Sequence, residues 1–355
     1  MEKAFTDQKY DVAIIGAGPS GLLLARMLLN RGISCLLFEN RNEKYLRRLR
    51  RGGYLSDAVL SMVKNEMKSP RLDAFVLRVD SMDVVSEEGK KSYPTSEIST
   101  FYANILDQHI LANALLDDVQ SDDCPILFEA KAQRYEGLEA DEIKIVFSQH
   151  GKLSHVYCSY VVGSDGYNGI SRRCIPPESR NEYLEELPLA WLEWTTEEAC
   201  KGSLIHKGSD HFAMCTATSE GGSRYYLQVK RGWEIDDLPE ENELWEMVES
   251  RLRTSFQHLP MLDKRLDYMR VFYTHAMQFG RLYIAGDAAH QVPRFGSASL
   301  NLGLMDVERL ARAFETYYKF GSKEELDEYS ALSTQFNKET ILDYAQLNAH
   351  FHSNE

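Results

Sequence analysis

The stretch that most constrains this chain lies within its first forty residues. Val12-Ala13-Ile14-Ile15 is an apolar run of strand type, and Gly16-Ala17-Gly18-Pro19-Ser20-Gly21 follows at once. A helical pattern runs from Leu22 to Asn30 and closes at Gly32. A second apolar run, Ser34 to Phe38, ends in Glu39, 23 residues after Gly16. Strand, glycine turn, helix, strand and acid each have a physical task. Gly16 allows a sharp turn, Gly18 lets backbone N–H groups approach a pyrophosphate at the helix N-terminus, and Gly21 lets helix and strand pack closely. Glu39 can accept hydrogen bonds from a ribose diol. An ordinary glycine turn in a parallel sheet is the plainer alternative, but it does not explain the acid at the second strand's end.

This start leaves NAD and FAD open. Two later segments bear on the choice. Tyr160-Val161-Val162 precedes Gly163-Ser164-Asp165-Gly166 and then Ile170-Ser171-Arg172-Arg173. Arg281-Leu282-Tyr283-Ile284-Ala285 precedes Gly286-Asp287-Ala288-Ala289-His290, and a helical pattern follows from Leu300 to Phe314. Both are apolar strands ending in a Gly-x-Asp or Gly-Asp turn. An acid there can hold a ribityl hydroxyl, and a helix N-terminus can face an electron-rich ring. For Asp165-Gly166 the plainer reading is a turn between strands. For His290 the favoured reading is packing at a helix start rather than catalysis.

Composition excludes several classes. The chain has 355 residues, 43% of them hydrophobic, enough for a sizeable core in one large domain or two. Forty basic residues against 54 acidic give a net charge of −14, which argues against nucleic-acid binding over the whole surface. Six scattered cysteines contain no C-x-x-C pair, so neither a zinc site nor a dense disulfide framework is expected, and a reducing cytoplasm fits. The most apolar stretch, Val12 to Leu29, is broken by three glycines, Pro19 and Arg26, so no membrane span is expected.

The set GAGPSG, GSDGYNGISR and RLYIAGDAAH resembles the class A FAD-dependent aromatic monooxygenases, and within them the 4-hydroxybenzoate 3-hydroxylase group. Ser223-Arg224-Tyr225-Tyr226-Leu227-Gln228-Val229 and Trp191-Leu192 support it. The likeness runs from about residue 10 to about 335. It implies an α/β fold: a Rossmann-like, glutathione-reductase-type FAD domain with an interleaved, mostly β substrate domain. Residues 1–72, 99–182 and 274–355 would form the first, residues 73–98 and 183–273 the second.

The resemblance further implies FAD as cofactor. Gly16, Gly18, Ser20, Gly21 and Glu39 would surround its ADP half, Asp287 its ribityl–pyrophosphate region, and Arg51, Asn104, Gly296, Leu300 and Asn301 other parts. Asp165 and Gly166 would serve both FAD and NADPH (or NADH), and Arg224 would influence flavin position. The basic run at residues 40–51, NRNEKYLRRLRR, reads either as a phosphate-attracting patch or as a solvated helix face. The family favours the first, through Arg41, Tyr45 and Arg51, with Leu49 standing where the family has an arginine.

The implied chemistry is hydroxylation of an aromatic ring by O2 through a C4a-hydroperoxyflavin. The flavin-facing loop would contain Pro293, Arg294, Gly296, Leu300 and Asn301, where Arg294 and Ser299 depart from the family. Tyr226 and Thr216 match pocket residues. The arginine that pairs with a benzoate carboxylate is replaced by Thr218, and the proton-relaying tyrosine by His206. Loss of a bidentate arginine argues against 4-hydroxybenzoate as the substrate. His206 would handle the proton or simply lie on a strand surface. The catalytic expectation is thus His206, Pro293 and Tyr226. Substrate contacts are expected from Thr216, Thr218, Tyr226, Arg294 and His206. A small aromatic molecule and O2 are the expected partners, without metal, nucleic acid or membrane, and a homodimer is compatible.

Three rivals remain. A flavin halogenase is disfavoured because Trp191-Leu192-Glu193-Trp194 is not W-x-W-x-I-P. A flavin reductase and a catalytically inactive flavin-binding protein share the cofactor motifs. Elsewhere, Glu220-Gly221-Gly222 predicts a turn between strands His211–Thr216 and Arg224–Val229. Glu234 to Glu246 carries seven acids and predicts a solvated face. Apolar spacing predicts helices over Ile98–Leu116 and Lys323–Ala349.

Overall fold

The computed structural model describes residues 9–98, 103–200, 202–206, 212–292 and 297–352, with side chains through residue 341. The first motif forms as its pattern requires. Strand Lys9–Ile15 leads through the glycine turn into helix Pro19–Asn30 and strand Cys35–Phe38. Val12, Ala13, Ile14, Leu36 and Leu37 are fully buried, as expected of a parallel strand covered on both faces.

Five parallel strands build the central layer. Lys9–Ile15 lies between Cys35–Phe38 and the second half of Lys152–Gly163, flanked in turn by Ile126–Leu127 and Leu282–Ile284. Ala130–Glu136, Ile143–Gln149 and the first half of Lys152–Gly163 make an antiparallel meander on this layer. Gln278–Phe279 completes the eight strands. Because the parallel strands share one direction, the two Gly-Asp segments and the first glycine turn emerge at the same edge.

A second eight-stranded sheet runs in the order 290–291, 262–273, 183–196, 223–230, 213–217, 204–206, 81–86, 89–94. Its pairings are antiparallel except between Leu204–His206 and Ser81–Ser86. Side chains alternate between its faces. Trp191, Ile205, Phe212, Met214, Tyr226 and Met269 share one apolar cluster. Leu192, Trp194, Cys215, Tyr225 and Leu227 share the other, beneath helix Glu241–Leu252 with its buried Trp245. A small sheet of Tyr54–Leu55, Leu77–Arg78 and Asn104–Ile105 lies between the layers.

The turn at 220–222 is present, joining Ala213–Ala217 to Ser223–Lys230. The acids of 234–246 lie on the surface around the buried Leu244 and Trp245. The last helix, Glu324–His352, matches its spacing. The helix expected over Ile98–Leu116 is corrected: it begins at Gln108 and runs to Gln120. Asn104–Ile105 is instead strand, because its backbone pairs with both Tyr54–Leu55 and Leu77–Arg78. No helix among the described residues is long and apolar enough to cross a membrane.

Candidate active site

A cleft of ≈ 490 Å³ opens where the two sheets meet. One wall comes from the parallel layer: Gly18, Pro19 and Ser20, then Ser164 and Gly166 to Asn168, then Ala285 to Asp287. The opposite wall is a strand face bearing Trp191, Glu193, Tyr226 and Leu266 to Arg270. Arg51, Gly52 and Gln108 close one side, and Ser297, Ser299 and Leu300 line the start of helix Ala298–Phe320.

The glycines of the first wall divide by cause. Gly16 has φ +106°, and a Cβ there would stand 2.3 Å from the Ser164 carbonyl oxygen. A Cβ on Gly21 would stand 2.0 Å from the Gly16 carbonyl oxygen. Both are demanded by the fold. A Cβ on Gly18 meets no protein atom within 4 Å. Gly18 is the N-cap of helix Pro19–Asn30 and supplies no side-chain cap. The wall therefore presents an uncapped helix N-terminus beside open space, which suits a pyrophosphate. Glu39 is fixed nearby, accepting hydrogen bonds from Ala17 N–H at 3.0 Å and Arg41 N–H at 2.8 Å. Asp287 faces the cleft, its carboxylate accepting from the Gln291 amide at 3.1 Å. A helix N-terminus, an acid at the second strand and an acid at the third turn form a donor and acceptor set that fits FAD.

Asp165 has a different place from its neighbour. Gly166, Tyr167 and Asn168 line the cleft, whereas the Asp165 carboxylate is buried and accepts from Ser171 N–H and Oγ at 3.0 and 2.9 Å. Burial raises its pKa above the ordinary carboxylate value. Asp165 shapes the turn rather than the wall. His290 is a packing residue, in line with the favoured reading. Its Nε2 is 2.7 Å from Asp306 Oδ2, which also accepts from Gly286 N–H at 3.0 Å. Asp306 Oδ1 accepts from the Asn337 amide at 3.1 Å. One buried carboxylate thus fixes the Gly286–Asp287 turn, a signal absent from the motif because Asp306 lies 20 residues downstream.

Several of the expected contact residues are bonded within the protein. The Asn104 amide donates to Leu55 O and Asp57, and Asn301 bridges Tyr54 O, Ser297 O and Ser56 N–H, so both side chains brace the small sheet. Arg224 is 3% exposed and clamped between Asp107, at 2.9 Å, and Glu193, which also binds Arg265 at 2.6 Å. Burial works against its charge, but Tyr226, Asp107 and Glu193 outweigh this and raise its pKa. Thr218 closes the 220–222 turn: its N–H donates to Gly222 O, its carbonyl accepts from Gly221 N–H, and its Oγ1 accepts from Gly222 N–H at 3.0 Å. Thr216 is on the cleft's side of the sheet, but its hydroxyl is hydrogen-bonded to those of Tyr54 (2.6 Å) and Ser203 (3.0 Å).

His206 falls on the wrong face. Ile205 packs with Trp191 and Tyr226, so strand alternation sends His206 to the face of Leu204, away from the cleft. Tyr226 lies on the wall, with its hydroxyl against Gly52 and burial raising its pKa, which keeps it a neutral donor. Ser20, Arg51 and Leu300 also line the cleft. The basic run is divided. Arg47 binds Glu43 and Asp117, and Arg41 lies 5.0 Å over the Tyr45 ring, while Arg51 reaches the cleft. Pro293, Arg294 and Gly296 lie outside the described residues.

Trp191 enters the sequence reading only as part of a supporting stretch and Ser299 only as a departure from the family, while Glu193, Gln108 and Ser297 carry no expectation as wall residues. Ser297 Oγ accepts from Tyr54 N–H at 3.0 Å and Ser299 Oγ from Val292 N–H at 2.9 Å, holding both ends of the loop. Period-two alternation through 190–194 and 224–228 was the available signal for the strand residues.

Comparison with known proteins agrees with this geometry. A family model described as "FAD binding domain" matches residues 9–342. The p-hydroxybenzoate hydroxylase of Acinetobacter baylyi is 28% identical over 91% of this chain and 81% of its own length. The p-nitrophenol 4-monooxygenase structure from Pseudomonas putida superposes with a TM-score of 0.83 at 17% identity, covering 98% of this chain and 91% of its own. The flavin-dependent halogenase CmlS gives a TM-score of 0.77 at 16% identity, covering 96% and 64%. Hydroxylase and halogenase thus share the architecture, and the fold does not separate them. With a cleft wall built for a dinucleotide and a family match spanning nearly the whole chain, the protein belongs to the FAD binding domain family, among relatives that are flavin aromatic hydroxylases.

Proposed function

We propose that this chain is an FAD-dependent, NADPH-consuming hydroxylase acting on a small aromatic molecule without a carboxylate. The carrying observation is one cleft with two chemically distinct walls: a dinucleotide-type wall at Gly18, Gly166 and Asp287, and a wall of Trp191, Tyr226 and Met269 opposite. Bound FAD supplies the redox chemistry that lets dioxygen oxidise a closed-shell ring, which no side chain can do alone.

The residues of the chain have the remaining tasks. The helix N-terminus at Gly18 binds phosphate, and Asp287 accepts ribityl hydroxyls. Trp191 and Tyr226 hold the ring, and with Met269 they exclude water around it. Arg224 and Arg265, on the substrate sheet, are paired with Asp107, Glu193 and Asp267, and Arg270 at the cleft lies 4.2 Å over the Tyr167 ring; the engagement of Arg224 and Arg265 supports an uncharged ring rather than a benzoate. His206, facing away, has no part in this account. NADPH as reductant, a cytoplasmic setting and the division at 73–98 and 183–273 complete the proposal.

The test is NADPH oxidation by the FAD-loaded protein with paired benzoates and their uncharged phenol, aniline or indole counterparts. Gain of one oxygen atom with the uncharged members supports the reading. Preference for the benzoates contradicts the substrate class. Halogen incorporation, or NADPH oxidation without a modified ring, contradicts the reaction.

A further inference from the structure

We propose that Trp191 and Gln228 form a neutral donor–acceptor pair that receives a hydroxyl group of the aromatic substrate. This deepens the hydroxylase reading and rests on it. The antiparallel register sets Trp191 directly opposite Gln228. Residues so paired present their side chains on one face, with Cβ atoms about 5 Å apart. Trp191 is 3% exposed and lines the cleft, and Gln228 is 2% exposed.

The indole Nε1 of Trp191 and the Oε1 of Gln228 are both buried without a hydrogen-bond partner among the described residues. The same face carries Phe212, Met214 and Met269, which cannot satisfy them, and Tyr226, whose ring is tilted 59° to the indole at 5.4 Å and whose hydroxyl lies against Gly52. Trp191 stacks flat on Phe212, with centroids 4.6 Å apart and planes at 10°, so its N–H does not point into that ring. Trp194 also has an unpartnered Nε1, but on the opposite face, where the perpendicular Trp245 at 5.6 Å offers a π acceptor. A buried donor and a buried acceptor left open on directly opposed residues of one sheet face carry a desolvation cost that a ligand entering beside Trp191 can remove.

A hydroxyl satisfies both at once, accepting from the indole and donating to the amide oxygen. A methyl ether accepts but cannot donate. With its Oε1 left open, as in the structure, Gln228 offers a phenolate or carboxylate a second acceptor. The pair therefore selects a neutral hydroxylated ring and rejects its ether and its anion.

The experiment is titration of the FAD-loaded protein with phenol and 2-naphthol, each against its methyl ether, read by the flavin difference spectrum. Each phenol is expected to bind at least about tenfold more tightly than its ether. Gln228→Met and Trp191→Phe are each expected to bring the ratio within about twofold. The ligand-free Gln228→Met protein should keep or raise its Tm, since an unpaired buried acceptor is removed; a merely structural glutamine would lower it. Equal binding of phenol and ether by the unaltered protein, or an unchanged ratio in the variants, overturns the proposal. So does loss of FAD from Trp191→Phe, which assigns the indole N–H to the cofactor. If phenol and ether bind alike while NADPH-driven hydroxylation proceeds, the subsite falls and the hydroxylase reading stands. Discrimination without oxygen insertion gives the reverse.

Discussion

Gly18 and Gly21 are three positions apart in one motif, yet the structure gives them opposite burdens. Gly21→Ala drives a methyl group into the Gly16 carbonyl, whereas Gly18→Ala places one in open space at the helix start. The first is expected to cost about 3 kcal/mol or more. The second should change stability by only a few tenths, up to about 0.5 kcal/mol, while weakening FAD at least about tenfold. Chemical denaturation of the FAD-free variants and FAD titration check both. Equal destabilisation would remove the argument that Gly18 is kept for a ligand. Asp165 carries a pH prediction. Its pKa is raised by burial, so above the ordinary carboxylate range the folded state holds the proton more tightly than the unfolded chain. Its contribution to stability therefore falls as pH rises from the unfolded value through the raised folded value. Asp165→Asn should flatten that part of the stability–pH curve and leave stability at neutral pH unchanged or higher. A variant less stable at neutral pH with an unchanged acid slope would contradict this.

Elements explain what the sequence made legible and what it hid. Strand Lys9–Ile15, helix Pro19–Asn30 and strand Cys35–Phe38 were readable because periodicity, glycine and terminal acid agree. The strand pair around 220–222 was readable because a glycine turn separates two apolar runs. The helix start at Gln108 was not, because long-range pairing of Asn104–Ile105 overrode local spacing. The substrate wall was harder. A match at one position of a strand says nothing of facing, and a shift of one residue reverses it. For this reason a positional match does not put His206 on the cleft, and Trp191 becomes a wall residue only once the facing of its strand is known. Thr216 and Thr218 matched positions whose neighbours had changed, so their hydroxyls are held by Tyr54, Ser203 and Gly222. Asp306 shows coupling between elements: from helix Ala298–Phe320 it holds the Gly286 turn, His290 and the last helix. Asp306→Ala leaves three buried donors without their acceptor and is expected to cost about 3 kcal/mol or more. FAD affinity should fall with it, because the Asp287 turn loses its anchor. Full FAD affinity and unchanged Tm would show that the turn holds its shape alone.

At the scale of the molecule, a parallel layer and an antiparallel sheet meet along one cleft, each giving it a different wall. That division is the physical content of the functional claim: cofactor on loop ends at the edge of one layer, ring on the face of the other. A family match over residues 9–342 fits such an arrangement, because neither wall is complete without the other. Arg51 and Arg270 line the cleft together with the acids Glu193, Asp267 and Asp287, so phosphate binding there relies on local contacts, such as the helix N-terminus at Gly18, rather than on a positive field. The most direct test of the account follows the oxygen atom. The FAD-loaded protein would be supplied with NADPH, an uncharged phenol and oxygen-18-labelled dioxygen, and the product examined by mass spectrometry. The account predicts one labelled oxygen on the ring per NADPH consumed in coupled turnover. Unlabelled oxygen in the product, or NADPH consumption that yields only peroxide across the aromatic panel, would contradict it.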